Sequence, residues 1–314
     1  MKIVVLEPLG VPVEDIRKLA EPLLNAGDEL KITDRALDSI EEKVAFAKDA
    51  EVVIIANSKF PAELIEQLYA LRFVGVAFTG YDHVDLEACR ARDIVVANCA
   101  GYATAAVAEL TIALAIGLLR NLKASDQVTR ALGTKGGLRQ TELAGQIFGL
   151  VGFGAIGRKV AQIAQALDCE VVVYNRSQVD MPGIKQVSLD ELLETSDIVS
   201  LHLPLTDETR GLIDASKLNR MKQDAILINT ARGPIVDSTA LAEALRAGKI
   251  RGAGLDVFDI EPPLQADEPL LQAPNTLLAP HIGFATEQAL VKRAKLTFEN
   301  VAAWQEGKAQ NVVS

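Results

Sequence analysis

Two α/β units built on parallel sheets are what the sequence predicts, and three observations carry the prediction. Short β-branched runs alternate with helical stretches almost from end to end. The chain has 314 residues, about twice the usual domain length, so two cores are expected. A glycine cluster, Gly152-Phe153-Gly154-Ala155-Ile156-Gly157, follows the apolar run Ile147-Val151 and opens the helical stretch Arg158-Leu167.

In the first unit, strands are expected at Ile3-Leu6, Val52-Ile55, Phe73-Val76 and Ile94-Val96, where β-branched residues cluster. Helices are expected between them at Val13-Leu24, Ser39-Ala47 and Pro61-Leu68, the last with proline in its first turn. This unit ends near Asn98. From Ala103 to Leu119 the chain is apolar almost all round, which predicts a helix buried on most sides, between domains or against a second subunit, with the subunit contact preferred. Gly133, Gly136 and Gly137 then mark a loop. A second unit follows, with strands expected at Gln146-Val151, Glu170-Tyr174, Ile198-Leu201, Ala225-Ile228, Gly252-Leu255 and Thr276-Leu278. A last helix, Thr286 to Trp304, is long enough to leave this unit and pack on the first.

Composition narrows the function classes. A 49% hydrophobic and 24% charged chain is an ordinary globular one. A formal net charge of -10, no long basic run and 4% aromatic residues leave a nucleic-acid backbone little to hold, so no nucleic-acid partner is expected. Cys89, Cys99 and Cys169 lack CxxC spacing, which points to neither a disulfide framework nor a metal site and fits a reducing, cytoplasmic setting. Four apolar residues before Glu7 and Pro8 are too few for a signal peptide, and Leu110-Leu119, bounded by Glu109 and Arg120, is half a membrane span. Neither export nor membrane insertion is expected.

The glycine cluster has a mechanical reading. Gly152 permits the tight turn, Gly154 lets backbone approach a pyrophosphate, and Gly157 lets helix and strand pack closely. The phosphates of a dinucleotide would sit at the helix N-terminus, where free N–H groups and the dipole favour an anion. An NAD site normally has an acidic residue about 20 residues on to bind the ribose 2′-hydroxyl. Here the strand end reads Tyr174-Asn175-Arg176-Ser177. Arg176 can pair with a 2′-phosphate, with Asn175 and Ser177 adding neutral hydrogen bonds, so NADPH is expected, and preferred over NAD. The other reading makes Arg176 a solvated surface residue and the cofactor NAD.

The chain has three histidines. His83 sits in the polar turn Gly80-Tyr81-Asp82-His83, where local hydrogen bonding is expected. His202 ends a strand of the second unit and has a place beside a nicotinamide. His281, in Pro280-His281-Ile282-Gly283, follows an apolar strand. Arg232 lies just past Ala225-Ile228, at the carboxyl end where open α/β sheets bind ligands, and Glu261 lies past Gly252-Leu255 and is stiffened by Pro262 and Pro263.

These segments together resemble the D-isomer-specific 2-hydroxyacid dehydrogenases over essentially the whole chain. The resemblance is carried by Thr79-Gly80-Tyr81-Asp82, Val107-Ala108-Glu109, the glycine fingerprint, Leu201-His202-Leu203-Pro204-Leu205-Thr206, Asn229-Thr230-Ala231-Arg232-Gly233, Gly254-Leu255-Asp256-Val257-Phe258 with Glu261-Pro262, and Pro280-His281-Ile282-Gly283. It implies two Rossmann-like doubly wound domains. The cofactor domain, 100-282, would be inserted into a flavodoxin-like substrate domain, 1-99 plus 283-314, with the active site in the cleft between them.

The resemblance also implies roles. Arg232 would hold the substrate carboxylate and polarise the keto oxygen. His281 would pass a proton to that oxygen. Glu261 would orient the imidazole and favour its protonated form. Ser58, Thr79 and Gly80 would meet substrate, with Asn57, Lys59 and Phe60 near its R-group. Thr104, Pro204, Thr209, Thr230, Ala231, Asp256 and Gly283 would border the cofactor, together with Arg232 and His281. Departures are the Asn175-Arg176-Ser177 end and the absence of tryptophan in the loop Gly133-Leu138.

The expected activity is NADPH-dependent reduction of a small 2-keto acid such as glyoxylate, hydroxypyruvate or pyruvate to the D-2-hydroxy acid, by a homodimer. The alternatives are a dinucleotide-sensing, corepressor-like binding protein and a formate- or phosphite-type dehydrogenase.

Overall fold

The computed structural model describes residues 1–260 and 263–314. It divides into two compact units, Met1–Ala103 with Ala285–Ser314, and Thr104–Phe284, so the second is inserted in the chain of the first.

Unit 1 runs β1 (Lys2–Val5), α1 (Val13–Ala20), β2 (Glu29–Ile32), α2 (Ile40–Phe46), β3 (Val52–Ile55), α3 (Ala62–Gln67), β4 (Phe73–Val76), α4 (Leu86–Arg90) and β5 (Val95–Asn98). The sheet order is β2-β1-β3-β4-β5 with every pair parallel, the flavodoxin-like arrangement. Val52, Val53, Ile54 and Ile55 are all buried, because helices cover both faces of such a sheet. The last helix, α11 (Glu287–Gln305), belongs here as expected. Its N-cap Thr286 accepts from the Ala289 N–H, and Phe298 and Val301 enter the core with Ile3, Ile54 and Phe73. Trp304 packs on Phe73 with ring centroids 5.1 Å apart. Beyond α11, the Val313 N–H donates to the Val96 carbonyl (2.8 Å) and the Asn98 N–H to the Asn311 carbonyl (3.0 Å). This short antiparallel strap covers the open edge of β5.

Unit 2 runs α5 (Thr104–Leu119), α6 (Leu122–Arg130), β6 (Ile147–Val151), α7 (Ala155–Ala166), β7 (Glu170–Tyr174), β8 (Ile184–Gln186), α8 (Leu189–Thr195), β9 (Ile198–Leu201), α9 (Ala215–Leu218), β10 (Ile226–Asn229), α10 (Ser238–Arg246), β11 (Gly252–Leu255) and β12 (Thr276–Leu278). Its parallel sheet has the order β12-β11-β10-β9-β6-β7-β8, so the chain reverses direction across the sheet between β6 and β9.

The all-round apolar character of α5 has its reason inside this unit. Val107, Thr111, Leu114 and Leu118 are among its buried residues, and α5 packs on α7 and on β10, β11 and β12. Gly254 of β11 lets it approach: a Cβ there would stand 3.0 Å from Leu114 Cβ. Packing within unit 2 thus accounts for the buried residues of α5. No single described helix is long and apolar enough to cross a membrane.

The two unexpected strands, β2 and β8, are both sheet edges. Their residues are only partly buried, so neither shows the continuous apolar run that marks an interior strand.

Candidate active site

Val151 ends β6, and the next residue, Gly152, has φ +100°, a conformation that side chains resist. A Cβ there would lie 2.5 Å from the His202 carbonyl oxygen, which follows the neighbouring strand β9, and a Cβ on Gly157 would lie 2.5 Å from the Gly152 carbonyl oxygen. Both glycines are thus required by the protein's own packing. Gly154 differs. It is the N-cap of α7 at φ -73°, which any residue adopts, and a Cβ there would meet nothing within 4 Å. The space over Gly154 is therefore open to a ligand, at a helix N-terminus whose Ala155, Ile156 and Gly157 carry unpaired-turn N–H groups suited to an anion. These residues fit the pyrophosphate of a nicotinamide dinucleotide.

At the end of β7, Asn175 engages both ends of its amide within the protein: Oδ1 accepts from the Phe153 N–H (3.2 Å) and Nδ2 donates to the Ser177 carbonyl (3.0 Å). Asn175 thus ties this tip to the glycine loop. Arg176 is 80% exposed and pairs with Glu208, itself 76% exposed, at 3.2 Å. A pair this exposed is worth about 0–1 kcal/mol, so the guanidinium can exchange partners readily. The loop after β9 is ordered by Thr209, whose hydroxyl donates to the Pro204 carbonyl (2.7 Å). Desolvation pushes His202 down to about 4, and its Nε2 lies 2.9 Å from Ser200 Oγ, so the ring beside the glycine loop is neutral at neutral pH.

Arg232, Asp256 and His281 follow three neighbouring parallel strands. Asn229 ends β10 beside Leu255, which ends β11 beside Leu278, which ends β12. Adjacent strands are about 4.8 Å apart, so all three loops leave one carboxyl edge within about 10 Å. The Arg232 loop is stapled by buried Asn229, whose Oδ1 accepts from Ala231 N–H (3.0 Å) and whose Nδ2 donates to the Arg232 carbonyl (2.8 Å). Thr230 Oγ1 lies 2.9 Å from Thr111 Oγ1 of α5. Gly233 fixes the contact with the β11 loop, because a Cβ on it would fall inside the Phe258 backbone.

Asp256 is 1% exposed. Its carboxylate accepts the Ile282 and Gly283 N–H groups at 2.8 Å each, and its carbonyl accepts the His281 N–H at 2.8 Å. These bonds hold His281 at φ +56°, an uncommon conformation for a residue with a Cβ and one that surrounding structure must impose. Asp256, expected from the resemblance beside a nicotinamide, anchors the His281 loop through these three bonds. The His281 ring meets Phe284 edge-on at 5.4 Å. Glu261 lies outside the described residues. Thr104 opens α5.

In unit 1, Ser58 stands three residues past β3 and Thr79 three past β4, and these strands are neighbours. The Asn98 amide donates to the Thr79 carbonyl (2.7 Å) ahead of Gly80. Glu7, two residues past β1, accepts N–H bonds from Ala56 (2.8 Å), Asn57 (3.3 Å) and Ser58 (2.9 Å). Sequence reasoning passed over Glu7, although its place after a strand beside the β1/β3 reversal was a legible signal. Phe60 is fully buried, so its side chain belongs to the core rather than to any R-group surface.

A cavity of about 770 Å³ in unit 2 is bordered by Ile226, Gly252 and Thr276, the residues that begin β10, β11 and β12. It lies at the amino edge of the sheet, opposite the loops just described. The carboxyl edge is the one that carries Arg232, Asp256, His281 and the glycine loop.

Comparison with known proteins places this geometry. Residues 112–283 match the model of the D-isomer specific 2-hydroxyacid dehydrogenase NAD binding domain. The chain is 33% identical over 325 aligned residues to a hydroxypyruvate reductase of Blautia hydrogenotrophica, with all of both chains covered. It is 38% identical over 282 residues to a glyoxylate reductase of Aeropyrum pernix, covering 85% of this chain and 84% of that one. Among solved structures, an acyclic imino acid reductase (Bsp5) in complex with NADPH and D-Arg matches all of both chains with a TM-score of 0.92 and 31% identity. With a glycine loop at the strand reversal, Arg232 and His281 past the ends of β10 and β12 on either side of β11 and relatives spanning its whole length, the chain belongs to the D-isomer specific 2-hydroxyacid dehydrogenase family of oxidoreductases.

Proposed function

We propose that the chain reduces a small 2-keto acid of the glyoxylate, hydroxypyruvate or pyruvate type to the D-2-hydroxy acid, with NADPH preferred over NADH. The observation that carries the reading is the carboxyl edge of β10, β11 and β12, which presents Arg232 on a loop stapled by Asn229 and His281 on a loop held by Asp256. The bound nicotinamide would supply a hydride to the keto carbon. Arg232 binds the substrate carboxylate and draws electron density toward the keto oxygen. His281 delivers the proton that this oxygen needs, and recovers it in the oxidative direction. Glu261 is assigned from the resemblance as the partner that orients His281. Ser58, Thr79 and Gly80 are assigned to the substrate in the same way, which makes unit 1 the substrate domain and unit 2 the dinucleotide domain.

NADPH preference rests on the missing acid after β7 and on an Arg176 whose present partner is easily exchanged. The cytoplasmic reading is supported by Cys89, Cys99 and Cys169, all unpaired and buried, each thiol pushed up to about 11 by burial. The enzyme is proposed to be a homodimer, which a solution mass measurement checks.

The test is absorbance of NADPH or NADH with a panel of 2-keto acids. Oxidation of NADPH with at least one of them is expected, and its absence with all would overturn the reading. His281→Ala is expected to lower turnover by about 10²–10⁴-fold with NADPH affinity retained; undiminished turnover would remove His281 from proton transfer. A second reading, reduction of the C=N bond of an imino acid, is favoured by the full-length likeness to an imino acid reductase. Adding an amine to the same keto acids separates the two.

A further inference from the structure

Lysine is rarely buried, yet Lys43 of α2 is 8% exposed in unit 1. Its ammonium donates to Ser58 Oγ and to the Lys59 carbonyl (3.3 Å). Burial pushes it below the ordinary lysine range, and the carboxylates of Glu7 and Asp38 oppose that shift. Glu7 in turn accepts the N–H groups of Ala56, Asn57 and Ser58. The loop after β3 is thus gripped by a carboxylate on its amides and by an ammonium on its hydroxyl and a carbonyl. An apolar residue at position 43 would fill the same space without the desolvation cost. The loop therefore needs something from this lysine that packing alone does not give.

What it provides follows from the donor inventory. An ammonium has three donors and no acceptor, so Ser58 Oγ must accept from Lys43 and the Ser58 O–H proton must be offered elsewhere. Lys43 occupies one acceptor position of the hydroxyl and leaves its O–H free to donate to a ligand, strengthened by polarisation through the charged bond. We propose that Lys43 and Ser58 form a specificity device, in which Lys43 is a positioning residue that holds Ser58 as a donor favouring 2-keto acids with an oxygen on C3 over those with a bare methyl group. This inference rests on the 2-keto acid reading and names the substrate class within it.

The experiment compares kcat/KM for hydroxypyruvate and pyruvate, with NADPH, in the wild type, Ser58→Ala, Lys43→Met and Lys43→Arg. Glyoxylate, which has no C3, reports how far each variant damages the enzyme as a whole. The wild type is expected to favour hydroxypyruvate, and Ser58→Ala to reduce the hydroxypyruvate-to-pyruvate ratio about tenfold, mainly through KM. Lys43→Met should lower the ratio in the same direction, and Lys43→Arg, which keeps a donor toward Ser58, should preserve most of it. A ratio unchanged in Ser58→Ala, or an equal fall on all three acids, overturns the device. If Lys43→Met does not fold, Lys43→Arg decides the lysine's part, and loss of selectivity there as large as in Ser58→Ala overturns it. A wild type active on these acids but without preference also overturns it, whereas a wild type inert on all three overturns the functional reading itself.

Discussion

In unit 1 the carboxylate of Glu7, just past β1, accepts three backbone N–H groups from the loop that follows the neighbouring strand β3. In unit 2 the carboxylate of Asp256, just past β11, accepts two from the loop that follows the neighbouring strand β12. The geometry is shared: a strand end lends an anion to the orphan amides of the adjacent strand's loop, where charge-assisted bonds are stronger than neutral ones. The load differs. Asp256 is buried and holds His281 in the left-handed region, so its bonds offset backbone strain at a candidate proton donor. Glu7 holds a loop that a second charge, Lys43, grips as well. The contrast teaches that one clamp can work alone against backbone strain while the other shares its loop with a second charge.

Breaking the Asp256 clamp should have the largest effect. Asp256→Asn turns one acceptor into a donor that faces a backbone N–H, and about 3 kcal/mol of stability should go with it. Turnover should fall about a hundredfold as His281 loses its fixed position. Thermal unfolding and kcat measure the two, and a variant with wild-type kcat would show that His281 needs no such anchor. Acid is the next probe and acts on unit 2. The folded state holds His202 neutral down to about 4, whereas an unfolded histidine takes its proton near 6.5. Its contribution is therefore full above about pH 6.5 and lost as pH falls toward 4, up to about 3 kcal/mol. Urea unfolding between these limits should show this slope, and His202→Asn should remove it.

Glu7→Gln should be milder than Asp256→Asn, about 1–2 kcal/mol, because the neutral amide still accepts with one oxygen and the loop keeps its Lys43 bonds. KM for the keto acid should rise more than kcat falls; the reverse pattern would put Glu7 with the chemistry rather than with binding. The smallest change is expected at an exposed carboxylate. Glu208→Gln frees Arg176 and should tighten NADPH about two- to threefold, with NADH unaffected. Equal effects on both cofactors, measured by fluorescence titration, would separate Arg176 from the 2′-phosphate.

Much of the interior was legible in the chain. Runs such as Val52-Ile55, Ile198-Leu201 and Ala225-Ile228 read as strands because a parallel sheet covered on both faces needs continuous apolar segments. Edge strands were not legible: Glu-Leu-Lys-Ile at 29–32 and Ile-Lys-Gln at 184–186 are defined by pairing with β1 and β7, not by their own pattern. The helix at Ser238–Arg246 was missed although Asp237 caps it through the Ala240 N–H. At the site, Arg232 and His281 could be chosen because each follows a strand, a local property. Glu7 also follows a strand and was passed over, whereas Lys43 could not be chosen, since it sits within α2 and acts on Ser58 and Lys59 of a separate loop.

By itself, the sequence determined the α/β class, the glycine loop, the cationic and imidazole candidates and the absence of an acid after β7. Each is written in local residue order, in periodicity or in the conformational freedom of glycine. Only the tertiary structure decided that α5 packs on α7 and the sheet of unit 2, that Asp256 anchors the His281 loop, that Asn175 is engaged by the glycine loop and that Lys43 donates to Ser58. These depend on which strands become neighbours, and hydrogen bonds act over about 3 Å whatever the distance along the chain.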